Sequence, residues 1–186
     1  TNLTSLNIAG NAITDISALA SLTKLENLTL NSNCVENLNS LSNITTLKAI
    51  AVSDNHLTDI SGLAKSTNLE TLYAYDNKLT DISTLAGCTK LTSINAYDNK
   101  ITSIGDLSKL DELTTVSLYD NEIADLNGLN GCAKLATINA YNNKLAGKLD
   151  LSGCPELTTL NVYVEEEEEE EDKKEDDKKD ETSESG

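Results

Sequence analysis

The sequence predicts an α/β repeat solenoid, with a concave sheet of short parallel strands and a convex side of short 3₁₀ or irregular segments. Three observations predict it: leucine and asparagine each recur every 22 residues, and each unit follows the pattern LxxLxLxxNxLxxIxxLxx. The recurring residues are Leu3, Leu25, Leu47, Leu69, Leu91, Leu113, Leu135, Leu157, Asn11, Asn33, Asn55, Asn77, Asn99, Asn121 and Asn143. Such a period indicates units that stack into one continuous core.

Each unit predicts a strand, then a bend, then a convex turn. The end of the LxxLxL segment alternates with period 2, so its leucines point inward from a short strand. The asparagine follows, and its side-chain amide can bond the backbone of a bend that has no sheet partner. Asp or Ser near the middle of the unit, as in Asp15-Ile16-Ser17, Asp59-Ile60-Ser61 and Asp81-Ile82-Ser83, suits the start of a short 3₁₀ turn.

The units NAITDISALASLTKLENLTL and NKLTDISTLAGCTKLTSINA resemble the 22-residue repeats of the internalin class of bacterial leucine-rich-repeat proteins. The resemblance covers residues 1 to about 163 and implies a leucine-rich-repeat horseshoe. It also implies a non-enzymatic domain whose concave parallel sheet binds a host or other partner protein. We expect residues 1–164 to form this domain, with seven 22-residue repeats and a final strand, as a fragment without the caps of that class.

Two features depart from the internalin pattern. Lys148 stands where other units have isoleucine or leucine. Ala74, Ala96 and Ala140 stand where a leucine would normally fill the core.

Five of the six tyrosines occupy one slot of the repeat, which we expect on the concave face. They are Tyr75, Tyr97, Tyr119, Tyr141 and Tyr163, and Tyr73 lies two residues before the first of them on the same face. At the usual strand spacing of about 4.8 Å, the five rings should form a ladder about 20 Å long. Exposed tyrosines are typical of interfaces, which predicts a partner-binding stripe. The alternative is that the stacked rings only stabilise adjacent strands.

Acidic residues occupy the next column of the repeat. The candidate partner-binding residues in it are Asp76, Asp98 and Asp120, and Asp54 precedes them. Like charges at this spacing repel each other, and lysines two residues further on offset part of the repulsion. A calcium site is not expected, because the loop geometry and number of ligands that calcium requires are lacking.

The sequence contains no recognisable catalytic or metal-binding apparatus. Cys88, Cys132 and Cys154 share a slot that holds leucine or isoleucine in other units, which predicts buried thiols. A disulfide between Cys132 and Cys154 in adjacent coils is geometrically conceivable. His56 is the single histidine, and zinc-ligand spacing, a nucleophile elbow and a phosphate loop are all absent. We therefore predict no catalytic residue, no cofactor and no metal.

Residues 165–186 hold 14 acidic residues and 4 lysines, which is −10 of the chain's net charge of −17. The segment has no apolar residue, so we expect a disordered acidic tail or linker. One interpretation is a solvated spacer. The other is an arm that binds basic partners, as in an intracellular acidic leucine-rich-repeat regulator.

The predicted function is recognition of a protein ligand on the concave face, by a monomer that is secreted or held at a bacterial cell surface. A carbohydrate stacked on the same stripe is a less favoured ligand, and a cytoplasmic or nuclear location belongs to the regulator alternative. Nucleic acid is not an expected partner, because the chain is acidic and has no arginine. No apolar run approaches the roughly 18 residues of a membrane span. The first strand, within residues 3–8, has an open edge and should fray first.

Overall fold

The computed structural model describes residues 1–163, so the predicted tail at 165–186 and Val164 lie outside the described residues. Within residues 1–163, eight strands form one parallel sheet in sequence order. They are β1 (Ser5–Asn7), β2 (Asn27–Thr29), β3 (Ala49–Ala51), β4 (Thr71–Tyr73), β5 (Ser93–Asn95), β6 (Thr115–Ser117), β7 (Thr137–Asn139) and β8 (Thr159–Asn161). Leu6 pairs with Leu28 and Leu28 with Ile50, so the 22-residue period sets the register and the predicted solenoid is confirmed.

The convex side consists of 3₁₀ and irregular segments. The 3₁₀ helices of the described chain are Ser17–Ser21, Asn39–Leu41, Ser61–Leu63, Ser83–Gly87 and Asn127–Leu129. The carboxylate of Asp59 accepts a hydrogen bond from the Ser61 backbone N–H at 2.7 Å, just before the third of these helices begins. Hydrogen bonds from the Ser61 hydroxyl and N–H lower the pKa of Asp59, because they stabilise its charged form. The predicted role of aspartate at the start of the turn is confirmed at this position.

Two convex segments contain a glycine with a positive φ instead of a 3₁₀ helix. Gly105 has φ of 67° and Gly147 has φ of 79°, and a right-handed turn requires a negative φ. The second segment includes Lys148, which is exposed, and its neighbour Leu149 is 39% exposed. Where this unit departs from the repeat pattern, the apolar side chain of Leu149 is therefore left partly exposed to solvent.

The core lies between the sheet and the convex segments. The inward-facing residues of the central strands are fully buried, and so are the three alanines at leucine positions, Ala74, Ala96 and Ala140. Leu3 near one end of the solenoid is 40% exposed and Leu160 in β8 is 39% exposed. Apolar residues at both ends of the described stack are thus less covered than those between two coils.

All four cysteines are free, so the conceivable disulfide between Cys132 and Cys154 is not formed. The thiols of Cys132 and Cys154 instead donate hydrogen bonds to the carbonyl oxygens of Leu107 and Leu129, respectively, each at 3.2 Å. Burial raises the pKa of Cys132 to about 12, so its thiol stays protonated at neutral pH. The prediction that this slot belongs to the core is confirmed.

Candidate functional site

The five tyrosines of the repeat slot form one continuous stack, which we call the tyrosine ladder: Tyr75, Tyr97, Tyr119, Tyr141 and Tyr163. The ring centroids are separated in turn by 4.5, 4.3, 4.5 and 5.2 Å, and neighbouring ring planes lie within 10° of parallel. These separations give a ladder about 18 Å long, close to the length expected from strand spacing. The structure thus brings these five predicted site residues together.

Backbone hydrogen bonds hold the ladder in register beyond the ends of the strands. The backbone N–H of Asp76 donates to the Tyr97 carbonyl at 3.2 Å, and that of Asp98 donates to the Tyr119 carbonyl at 3.1 Å. The same bond joins each tyrosine of the ladder to the preceding coil. The ring spacing is therefore imposed by the stacking of the coils.

The ladder presents ring edges to solvent, because stacking covers the faces of its inner rings. The first four rings are partly buried, whereas Tyr163 at the end of the ladder is 55% exposed. In the coil before the ladder, the equivalent residue is Ser53, which is itself buried. Stacking thus covers the ring faces of Tyr97, Tyr119 and Tyr141, and Tyr163 is the most exposed tyrosine of the ladder.

The phenol groups of the ladder interact with one another. Burial raises the pKa of Tyr119, and a hydrogen bond with the Tyr97 phenol together with the Asp120 carboxylate raises it further. The Tyr119 phenol is therefore protonated at physiological pH. A phenol has one donor and two acceptor lone pairs, so a phenol bonded to a neighbour can still accept from a ligand.

The aspartate column beside the ladder has a backbone role that the sequence analysis missed. Asp76, Asp98 and Asp120 have φ of 53°, 52° and 53°, in the left-handed region. Glycine, asparagine and aspartate tolerate this region best, because most other side chains clash with the backbone there. Gly10 and Asn142 in the same column were the signal that could have revealed it. The recurring Tyr-Asp-Asn is thus in part a solution to bending the chain after each strand.

We predict that Asp98→Val lowers the free energy of unfolding by about 1–2 kcal/mol, because a β-branched residue is strained in the left-handed region. Asp98→Asn should leave stability within about 0.5 kcal/mol of the parent, because asparagine tolerates that region and the side chain is exposed. Urea denaturation of both variants checks this. Equal losses in both would show that the carboxylate matters more than the backbone.

The asparagine after each aspartate fixes the bend, as predicted. Asn99 is 9% exposed, and its Nδ2 donates to the carbonyl oxygens of Ala74, Ala96 and Tyr97 at 3.0–3.2 Å. Its Oδ1 accepts from the Leu79 backbone N–H at 2.9 Å. One side chain therefore closes its own bend and attaches it to the preceding coil, directly behind the tyrosine ladder.

A column of small polar residues, which we call the polar column, lies two residues before the ladder in the strands: Asn95, Ser117, Asn139 and Asn161. The Asn161 amide donates to Asn139 Oδ1 at 2.7 Å, so part of this column is ordered. Tyr73 occupies the same column at the N-terminal end and is 43% exposed. The ladder is therefore bordered by side-chain amides and hydroxyls on one side and by the aspartate column on the other.

Two observations concern residues 1–163 only, one on metal-binding clusters and one on membrane-spanning helices. No group of three or more histidine, cysteine or acidic side chains within residues 1–163 is placed to hold a metal ion. Across the same range, the structure has no helix with the length and apolar character needed to cross a membrane.

Comparison with known proteins places this solenoid in a family. A family model described as leucine-rich repeats (2 copies) matches residues 1–43, 45–87 and 89–131. No curated protein matches the sequence.

Solved structures of bacterial proteins resemble the chain closely. An internalin (InlF) from Listeria monocytogenes superposes with a TM-score of 0.77 at 29% identity, over 88% of this chain and 56% of that one. Internalin C2 from the same organism gives 0.76 at 30% identity, over 86% of this chain and 72% of that one. This chain therefore spans less than two thirds of the first of these structures.

A third structure, InlJ from Listeria monocytogenes, gives a TM-score of 0.63 at 29% identity over 88% of this chain and 40% of that one. Its functional domain includes a cysteine ladder. Here Cys88, Cys132 and Cys154 share a repeat slot, with Leu110 between the first two. The repeat, the sheet and these similarities agree: the chain belongs to the leucine-rich-repeat family and is internalin-like.

Proposed function

We propose that this chain is a non-enzymatic recognition module that binds a protein ligand on the concave face of its sheet. The ligand contacts the tyrosine ladder, Tyr73 and the bordering aspartates Asp76, Asp98 and Asp120. The module acts as a monomer, in a bacterial protein that is secreted or exposed at the cell surface.

The observation that carries the proposal is the tyrosine ladder itself. A partly exposed aromatic strip about 18 Å long is a feature that soluble proteins usually reserve for contact with partners. Tyrosine adds large contact area at low entropic cost, and its hydroxyl gives directional bonding. Leucine-rich-repeat proteins are protein-interaction modules, and the structural neighbours named above are internalins.

A protein fits this face better than a carbohydrate does. Sugars bind aromatic residues by stacking on ring faces, and the inner rings of the ladder cover each other's faces. A polypeptide can use ring edges, phenol groups and the amides of the polar column together. The ordered phenols and backbone-fixed aspartates also reduce the entropy lost on binding.

The test is a pull-down from bacterial and host extracts with the full chain and with the triple variant Tyr75→Ala, Tyr97→Ala, Tyr119→Ala. We expect the parent chain to retain a partner that the triple variant loses. A matched control replaces three exposed residues outside the sheet, Lys65→Ala, Thr89→Ala and Asp111→Ala, and should keep the partner. Circular dichroism establishes that each variant is folded.

If the alanine variant unfolds, asparagine replaces the same three tyrosines, because Asn31 occupies this slot in an earlier coil. Retention of the same partners by a folded triple variant would contradict the proposal. Deletion of residues 165–186 addresses the alternative function. Loss of the partner on this deletion would indicate that the acidic tail binds it and would contradict the assignment of the binding site to the concave face.

A further inference from the structure

We propose that the tyrosine ladder and the polar column beside it bind a proline-rich segment of the partner in the polyproline II conformation, with basic side chains on the segment. The inference rests on the proposed function and specifies the chemistry of its ligand. The spacing of the ladder, the exposed part of its rings and the charge beside it all favour this segment.

The repeat distance of the ladder matches polyproline II. This helix rises about 3.1 Å per residue with three residues per turn, so one turn spans about 9.3 Å. Two steps of the ladder span roughly 9 Å, so its full length corresponds to about two turns, or six residues. Every third residue of the segment would therefore meet every second ring.

The repeat distances of other regular conformations do not match the spacing of the rings. A β-strand returns a side chain to the same face about every 6.8 Å, which matches neither one step of the ladder nor two. An α-helix advances about 5.4 Å per turn, so it falls out of register by roughly 3 Å over the ladder. The ring spacing therefore favours polyproline II over a β-strand or an α-helix.

The surface chemistry of the ladder suits such a segment. Polyproline II has no internal hydrogen bonds, so its carbonyl groups remain available to a binding surface. Proline-rich segments dock in grooves lined by aromatic side chains. Here the side-chain amides of Asn95 and Asn139 lie in the column beside the ladder and can donate to peptide carbonyls.

The charge at the border of the ladder calls for basic side chains on the ligand. Asp76, Asp98 and Asp120 are exposed, and the Asp120 carboxylate lies within electrostatic reach of the Tyr119 phenol. Two residues further on, Lys78, Lys100 and Lys144 with Glu122 carry a net charge of +2, and Lys144 pairs with Glu122 at 2.7 Å. With Asp54 the aspartate column carries −4, so the border of the ladder keeps a net charge of −2. A long basic side chain can reach over the ring edges to these carboxylates. Charge complementarity therefore favours lysine or arginine flanking the prolines.

The test uses the tyrosine fluorescence of the full chain, which has no tryptophan. Three synthetic peptides without aromatic residues are titrated: six prolines flanked by arginine, six prolines flanked by glutamate, and an arginine-flanked Gly-Ser peptide of equal length. We expect the arginine-proline peptide to bind at least about tenfold more tightly than either control, by the contributions of rigidity and charge. Tyr119→Ala should weaken its binding about tenfold, as for a central tyrosine in an interface.

Tyr119→Phe separates the phenol group from the ring, because it keeps the stacked ring and removes the hydroxyl. A smaller loss than for alanine is expected. Equal binding of the arginine-flanked Gly-Ser peptide would overturn the inference, because charge alone would then account for the binding. No binding of any peptide up to about 1 mM would also overturn it. If that happens while the pull-down still finds a partner sensitive to the triple tyrosine variant, only this inference fails and the proposed function stands.

Discussion

Replacing Asn99 by alanine is expected to lower the free energy of unfolding by about 3 kcal/mol, because four hydrogen bonds of a buried side chain disappear together. The backbone N–H of Leu79 loses its partner at a site that is 9% exposed. The carbonyl oxygens of Ala74 and Ala96 each lose one of two donors and keep the amides of Asn77 and Asn121. A buried polar group without a partner costs about 1–3 kcal/mol, and partial entry of water limits the sum. Urea denaturation followed by circular dichroism measures the loss.

Asn11→Ala is the matched control. Asn11 holds the same slot in the first coil but is exposed, and its amide donates to only two carbonyl oxygens, those of Ile8 and Ala9. We expect a loss below about 1 kcal/mol, as for exposed hydrogen bonds. Equal losses at both positions would mean that the attachment to the preceding coil contributes little. Tyrosine fluorescence adds a regional probe, because every tyrosine lies at or beyond position 73.

Gly62→Ala is expected to destabilise the fold by about 3 kcal/mol, the upper end of the usual cost of overpacking a core. A Cβ at Gly62 would lie 1.9 Å from the carbonyl oxygen of Leu38 in the preceding coil. That oxygen belongs to backbone, so the two coils must move apart. The displacement would disturb the packing of Leu41 and Leu63, both fully buried. In urea denaturation, we expect the midpoint of Gly62→Ala to lie well below that of the parent chain.

Gly87→Ala provides the comparison in the next coil. Gly87 ends its own 3₁₀ helix, and an added Cβ would meet only the Ala64 carbonyl oxygen at 3.6 Å, an ordinary contact. Its stability should stay within about 0.5 kcal/mol of the parent chain. If Gly62→Ala were equally well tolerated, the close approach of the coils at Gly62 would not limit stability.

Much of the candidate site could be read from residue spacing. Because each coil is displaced from the last by one strand spacing, a 22-residue repeat of tyrosine on the concave face becomes a column, and 4.8 Å between strands becomes ring stacking. The separations of 4.3–5.2 Å follow from this. Whether the column is a binding surface does not follow from spacing, because stacked rings also stabilise adjacent strands.

The role of Asp98 was read from its charge, whereas the backbone supplies a more direct reason for its residue type. Sequence spacing shows which residues share a column but not the dihedral angles at which the chain bends. The φ of 52° at Asp98 is such an angle. The residue types in the column, with glycine and asparagine beside aspartate, carried that information indirectly.

The sequence by itself determined the number of coils, the register of the sheet and the identity of the concave columns. It could do so because every contact between coils joins residues about 22 apart, and periodicity records such contacts directly. The tertiary structure alone decided the free state of Cys132 and Cys154 and the close approach at Gly62. These depend on differences of a few ångströms in the distance between coils, which a repeat pattern does not encode.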